Sequence, residues 1–140
     1  MNILVPIDGS ETSLNALKAA VAMAAGRSDI GLRVVTIQAP IASGNVKRFI
    51  SAEILDEYYQ DEGNKALAGA RELLGGSPAE ASFEVLVGPV AETIVDYAKQ
   101  HDCGHIVMGT RGLGRISGLL LGSVATKVLS LTEVPVTLVK

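Results

Sequence analysis

Tryptophan is absent from the 140 residues, and two phenylalanines and three tyrosines make up the whole aromatic complement. Valine, leucine, isoleucine and alanine must therefore fill the core, which suits a parallel sheet buried on both faces by helices. Scarce aromatics and a net charge of −3 give no basic, aromatic-interleaved surface, so nucleic acid is not an expected partner. Charge itself is sparse: 19% of residues are charged against 48% apolar, which excludes a disordered chain. The single cysteine, Cys103, has no internal disulfide partner, as fits a reducing compartment. Cys103 and His105 are too isolated for a metal site of about four ligands, so no protein metal site is expected. No apolar run approaches the ~18 residues of a membrane span, and the opening MNILVPIDGSE has no basic leader or cleavage pattern. A cytoplasmic protein of one domain, residues 1–140, without a membrane partner is the expectation.

What is present alternates between two hydrophobic periods. Residues 1–7 (MNILVPI) read as a strand. Asp8 or Ser10 can cap the helix that follows, with Glu11 spaced from Asp8 as a capping-box partner. Leu14, Leu17, Val21 and Ala24 share one face of that helix, and Gly26 marks its stop. Residues 32–37 (LRVVTI) read as a second strand and residues 39–45 as a loop. Residues 49–74 are helical in pattern through Ile54, Tyr58, Leu67, Ala70, Leu73 and Leu74, with Gly63-Asn64 a candidate break and Gly75-Gly76-Ser77-Pro78 a stop. In the Tyr58-Tyr59 pair, one ring is expected inward and one outward. Residues 82–87 (SFEVLV) give a third strand. Gly88-Pro89 then leads into an amphipathic helix through Ile94, Val95 and Ala98. Residues 105–108 give a fourth strand, 123–131 a last helix and 136–139 a fifth strand. Strands alternating with helices over short connections imply right-handed crossovers and a doubly wound parallel sheet.

Ligands of such sheets bind beyond the carboxyl ends of the strands, where strand order reverses. The stretch VMGTRGLGRISGLLLGSVATKVL, residues 107–129, lies at such an end and carries glycines at 109, 112, 114, 118 and 122. It lacks the lysine of the nucleoside-triphosphatase loop, because Gly122 is followed directly by Ser123. It also misses the dinucleotide fingerprint by one residue between Gly114 and Gly118. Glycine permits positive φ and lets backbone N–H groups approach an anion closely, and Gly122-Ser123 opens a helix whose first amides and dipole favour phosphate. Residues 103–132 contain Arg111, Arg115 and Lys127 and no Asp or Glu. An acid-free positive segment in an otherwise acidic chain is what an anion site requires. The plainer readings are a surface loop for the glycines, helix caps for Asp8 and Ser123, solvated charge for Arg111 and Arg115, and a structural place in its strand for His105.

Gly109-x2-Gly112-x9-Gly122-Ser123 resembles the G-2x-G-9x-G-[S/T] signature of the nucleotide-binding branch of the universal stress protein family. VPIDGS, Val87-Gly88-Pro89, HIVMGTRG and the closing VPVTLVK stand where such proteins have them. The resemblance implies a Rossmann-like α/β fold, an open five-stranded parallel sheet in the order 3-2-1-4-5 with helices on both faces, binding ATP. Carried over position by position, Asp8 would hold the ribose hydroxyls, and Pro6 and Ile37 would line the adenine pocket. Met108, Gly109, Arg111 and Gly112 would border the ribose and phosphates. Gly122, Ser123, Val124 and Ala125 would supply phosphate-binding amides, with a hydroxyl from Ser123. Gly114 and Gly118 fall outside the signature and read as flexible loop. Mg²⁺ would be held through the phosphates, and the last strand would pair with its counterpart in a homodimer; protein partners beyond that are unknown. Phosphoryl transfer needs a positioned base, and the acid-free segment offers none. The expected function is therefore that of an ATP-binding regulatory, stress-response protein. A slow ATPase or phosphotransferase is the alternative, and a coloured flavin or electron-transfer domain a third class.

Overall fold

Ile3, Leu4 and Val5 are all fully buried, as consecutive strand residues can be only where both faces of the sheet are covered. They lie in β1 (Asn2–Pro6). With β2 (Gly31–Gln38), β3 (Ala81–Val87), β4 (Cys103–Gly109) and β5 (Val136–Val139), β1 forms an all-parallel sheet in the order β3-β2-β1-β4-β5. The computed structural model describes residues 1–41, 44–75, 80–112 and 120–140. Helices α1 (Glu11–Ala24), α2 (Gly44–Phe49), α3 (Ala52–Gly75), α4 (Val90–Gln100) and α5 (Ser123–Leu131) make up the rest of this Rossmann-like α/β fold.

Side chains alternate across the strands, and so they divide between two cores. Ile3, Val5, Ile7, Val34 and Val107 meet Leu17 of α1 and Leu67 of α3 on one face. Leu4, Val35, Ile106 and Met108 meet Ile94 of α4 and Val128 of α5 on the other. The expected strands and the last helix fall within two residues of their observed bounds. Tyr59 is buried, with its hydroxyl accepting from the Ile41 amide at 2.8 Å, while Tyr58 faces outward.

The long helical segment departs from its expected form. It begins earlier, with α2 starting at Gly44 inside the expected loop. It breaks at residues 50–51, where Ser51 Oγ accepts from the Ile54 amide at 3.2 Å and caps α3. At Gly63-Asn64 the helix runs on unbroken. Gly63 sits there for packing: a Cβ would lie 2.6 Å from Val85 Cγ2 and 3.1 Å from Val85 Cβ on β3. Ile54 and Tyr58, expected on the apolar face, are exposed; the buried stripe is Tyr59, Gly63, Leu67, Ala70 and Leu74. The helix ends at Gly75, and the rest of the expected stop lies outside the described residues.

Of the two caps expected for α1 the structure uses Ser10, and the Asp8–Glu11 capping box does not form. Ser10, not Asp8, is the N-cap, accepting from the Ser13 amide at 3.1 Å. Glu11 is the first helical residue, so the third helical position belongs to Ser13. Its hydroxyl donates to the Ser10 carbonyl at 2.9 Å and accepts from the Asp8 amide at 3.4 Å. Capping by Ser10 releases Asp8 from that duty.

Candidate functional site

β1 has β2 on one side and β4 on the other, so strand order reverses between β1 and β4. A cavity of about 300 Å³ opens there, at the carboxyl ends of the two strands. All eleven residues singled out in the sequence stand around it. Pro6 and Asp8 come from the end of β1, Ile37 from β2, and Met108 and Gly109 from β4. Arg111 and Gly112 follow β4, and Gly122, Ser123, Val124 and Ala125 form the start of α5. Ile7, Ser13, Val90, Ile94 and Thr110 also line it and were not singled out for this role. Ile94 belongs to the apolar face expected for α4, and Val90 lies one helical turn before it; that periodicity does not mark either as cavity wall. Ser13 was legible only through its place at the third position of a Ser10-capped helix.

Asp8 is held in an oriented pose. Its Oδ1 accepts from the Ser10 amide at 2.9 Å, a short side-chain turn onto its own backbone. Its Oδ2 points at Gly112, where a Cβ would collide with that oxygen and lie 3.6 Å from Asp8 Cγ. Residue 112 must therefore be glycine for the segment after β4 to pass over the carboxylate in this arrangement.

The three signature glycines differ in what surrounds them, and none has positive φ. Among the described glycines positive φ occurs at Gly9, Gly26 and Gly88. At Gly109 a Cβ would lie 2.7 Å from Thr12 Cγ2 and 3.2 Å from the Thr12 carbonyl carbon, so this glycine lets α1 pack on β4. Gly122 has φ −73°, which any residue adopts, and a Cβ there would meet only ordinary contacts, 3.4 Å to Arg111 Cα and 3.5 Å to the Thr110 oxygen. The described fold has no need of glycine at 122.

Gly122 is also the N-cap of α5 and offers no side-chain acceptor to the first-turn amides. Ser123 is the first helical residue, not the cap. The segment is tied back to β4 and β5: the Gly122 amide donates to the Thr110 carbonyl at 2.7 Å, and the Thr110 amide to the Val139 carbonyl at 2.9 Å. A fixed helix start whose cap offers no side-chain acceptor, with a positive dipole end, is an anion-binding element.

The charge around it is smaller than the sequence count suggests. Lys127 Nζ pairs with Glu92 Oε1 at 2.5 Å, joining α5 to α4, and holds the Glu92 carboxyl below its ordinary pKa. Arg111 lines the cavity, while Arg115, Gly114 and Gly118 lie outside the described residues. Among the described lining residues, Asp8 and Arg111 are the only titratable groups. No group of three or more metal-ligating side chains occurs among the described residues. His105 is bonded through Nε2 to Thr137 Oγ1 at 2.7 Å between β4 and β5, and Cys103 is a buried free thiol.

A model of the universal stress protein family matches residues 1–140. A universal stress protein of Methanocaldococcus jannaschii is 32% identical over 144 residues, covering 99% of this chain and 81% of the relative. Universal stress protein YxiE of Bacillus subtilis is 31% identical, covering 99% and 97%. Among solved structures, a universal stress protein in complex with cAMP superposes with TM-score 0.74 at 27% identity, covering 100% of this chain and 97% of that one. The universal stress protein of Archaeoglobus fulgidus in complex with dAMP gives 0.72 at 25%, covering 100% and 98%.

Proposed function

The chain belongs to the universal stress protein family, and from that premise we propose that it is an ATP-binding regulatory protein whose nucleotide occupies the cavity between β1 and β4. One observation carries the reading. The oriented carboxylate of Asp8 and the N-terminus of α5, with no side chain at its cap, face one cavity at the switch point of the sheet. A carboxylate is an acceptor-only group suited to a ribose diol, and free amides at a helix start suit phosphate. Between them Ile37, Val90 and Met108 give apolar wall for a base. The structural relatives solved with cAMP and dAMP support a nucleotide as the class of ligand.

In this reading Asp8 takes the ribose hydroxyls, with Pro6 and Ile37 against adenine. The amides of residues 122–125, with the Ser123 hydroxyl and Arg111, take the phosphates, and Met108, Gly109 and Gly112 close the border. Mg²⁺ enters with the nucleotide, held by phosphate oxygens. Binding is favoured over turnover because Asp8 is the one carboxylate on the described lining, and it is committed to the sugar. The 140 residues act as a single cytoplasmic domain that pairs with a second copy through β5, an edge strand whose four residues are all half-buried.

The test is to denature freshly purified protein and identify the released nucleotide by chromatography, then to titrate emptied protein with labelled ATP. Released ATP, or saturable ATP binding by the emptied protein, supports the reading. Failure to bind any adenine nucleotide refutes it. Sustained Mg²⁺-dependent phosphate release abolished by Asp8→Ala would replace the binding protein with an ATPase.

A further inference from the structure

α3 is longer than the sheet it covers. Its 24 residues span about 36 Å at 1.5 Å per residue, whereas the eight residues of β2 span about 26 Å. The register shows at which end the excess lies. Gly63 sits against Val85, two residues from the end of β3, and α3 runs back from β2 toward the start of β3. Residues 52–58 therefore overhang the carboxyl edge of the sheet. Burial agrees, since none of these seven is buried and Tyr59 is the first that is.

An overhang beyond the edge of the sheet gains little from apolar side chains on its outer side, yet this one carries them there. Ile54 is 57% and Tyr58 50% exposed, and Phe49, at the end of α2, is 86% exposed. Ile54 and Tyr58 are one helical turn apart and share a face, roughly opposite the Gly63-Leu67-Ala70-Leu74 stripe at 3.6 residues per turn. Charge around Ile54 and Tyr58 is mainly acidic: Glu53, Asp56, Glu57, Asp61 and Glu62 fall within ten residues. Glu62 is paired with Lys65 at 3.1 Å, and Lys47 and Arg48 precede Phe49 in the sequence. Stabilisation of the helix dipole accounts for Glu53 alone, because that effect fades beyond the first turn.

We propose that the outer face of residues 49–62 docks a basic amphipathic helix from another protein, with its apolar side chains on Ile54, Tyr58 and Phe49 and its Lys or Arg residues beside Glu57 and Asp61. Charge complementarity selects this occupant. A two-fold contact with a second copy centred on Ile54 and Tyr58 would bring together two copies of Glu57 and Asp61, and an anionic lipid or nucleic-acid surface would be repelled. Side chains one helical turn apart, as Ile54 and Tyr58 are, form a ridge that packs into the grooves of a second helix.

Two synthetic peptides test this, an amphipathic helix of Leu and Lys and a scrambled peptide of identical composition, titrated into the isotopically labelled full chain and followed by NMR. The amphipathic peptide is expected to bind about tenfold or more tighter than the scrambled one, with shifts confined to residues 49–62. Ile54→Ala/Tyr58→Ala should remove the difference while leaving the circular dichroism spectrum and melting temperature unchanged. Equal affinity for both peptides, or shifts centred on another face, overturns the proposal. So does movement of the same resonances with protein concentration alone, which would assign the face to a second copy.

Discussion

Replacing Gly63 with alanine sets two opposed effects against each other, and the structure decides their balance. Alanine exceeds glycine in helix propensity by about 0.8–1 kcal/mol, so a glycine free of contacts in mid-helix should be improved by the change. Here the new Cβ would lie 2.6 Å from Val85 Cγ2 and 3.1 Å from Val85 Cβ. Rotation of Val85 can turn its methyls aside but cannot move its Cβ, so α3 and β3 must separate by some tenths of an ångström. Overpacking of this kind costs about 1–3 kcal/mol, leaving Gly63→Ala destabilising by about 0–2 kcal/mol. In a Val85→Ala background both methyls are gone and only the 3.1 Å contact with the Cβ of residue 85 remains, so Gly63→Ala should cost less there or turn stabilising, by at most about 1 kcal/mol. Urea denaturation of the four proteins in this cycle measures the coupling. An equal gain from Gly63→Ala in both backgrounds would refute the claim that close packing places glycine there.

The signature glycines should separate by experiment. Gly122→Ala is expected to leave stability within about 0.5 kcal/mol of wild type and to weaken nucleotide binding, whereas Gly109→Ala should lower the urea midpoint through its clash with Thr12. Thr36 is buried and its Oγ1 has no hydrogen-bond partner among the described residues. Thr36→Val should raise stability by about 1 kcal/mol, and a loss would show that the hydroxyl has a partner. The Glu92 carboxyl is held below its ordinary pKa by the Lys127 hydrogen bond. Its stabilising contribution is therefore complete above the ordinary value of about 4.3 and disappears as pH falls through the lower folded-state value. Melting temperatures of Glu92→Gln and wild type should converge on acidification, and a constant gap would refute the pairing.

The sheet was legible because its strands carry their own signal. Runs such as LRVVTI and SFEVLV are short, branched and bounded by turns, and a sheet covered on both faces leaves few alternatives for their order of connection. Cavity residues on strand ends and at Gly122-Ser123 were legible for a related reason: topology fixes where a doubly wound sheet leaves its crevice. What escaped was tertiary. Gly63 read as a break because a sequence does not display Val85 lying across from it, and packing against β3 overrides the weak local preference. Ile54 and Tyr58 read as core because periodicity reports an apolar stripe without reporting where the sheet beneath it ends. Lys127 counted toward an anion field because its partner, Glu92, is 35 positions away in sequence. The three glycines look alike in the sequence, yet one accommodates Thr12 and one Asp8, while at the third no close contact demands glycine.

Calorimetric titration of emptied protein with ATP, for wild type and Asp8→Ala side by side, bears most directly on the nucleotide reading. A carboxylate hydrogen-bonded to the ribose contributes about 1.5–3 kcal/mol, so Asp8→Ala should weaken ATP about ten- to hundredfold. Because Ser10 caps α1, the variant should stay folded. Equal affinity in the two proteins, or no binding of any adenine nucleotide by the wild type, would contradict the account.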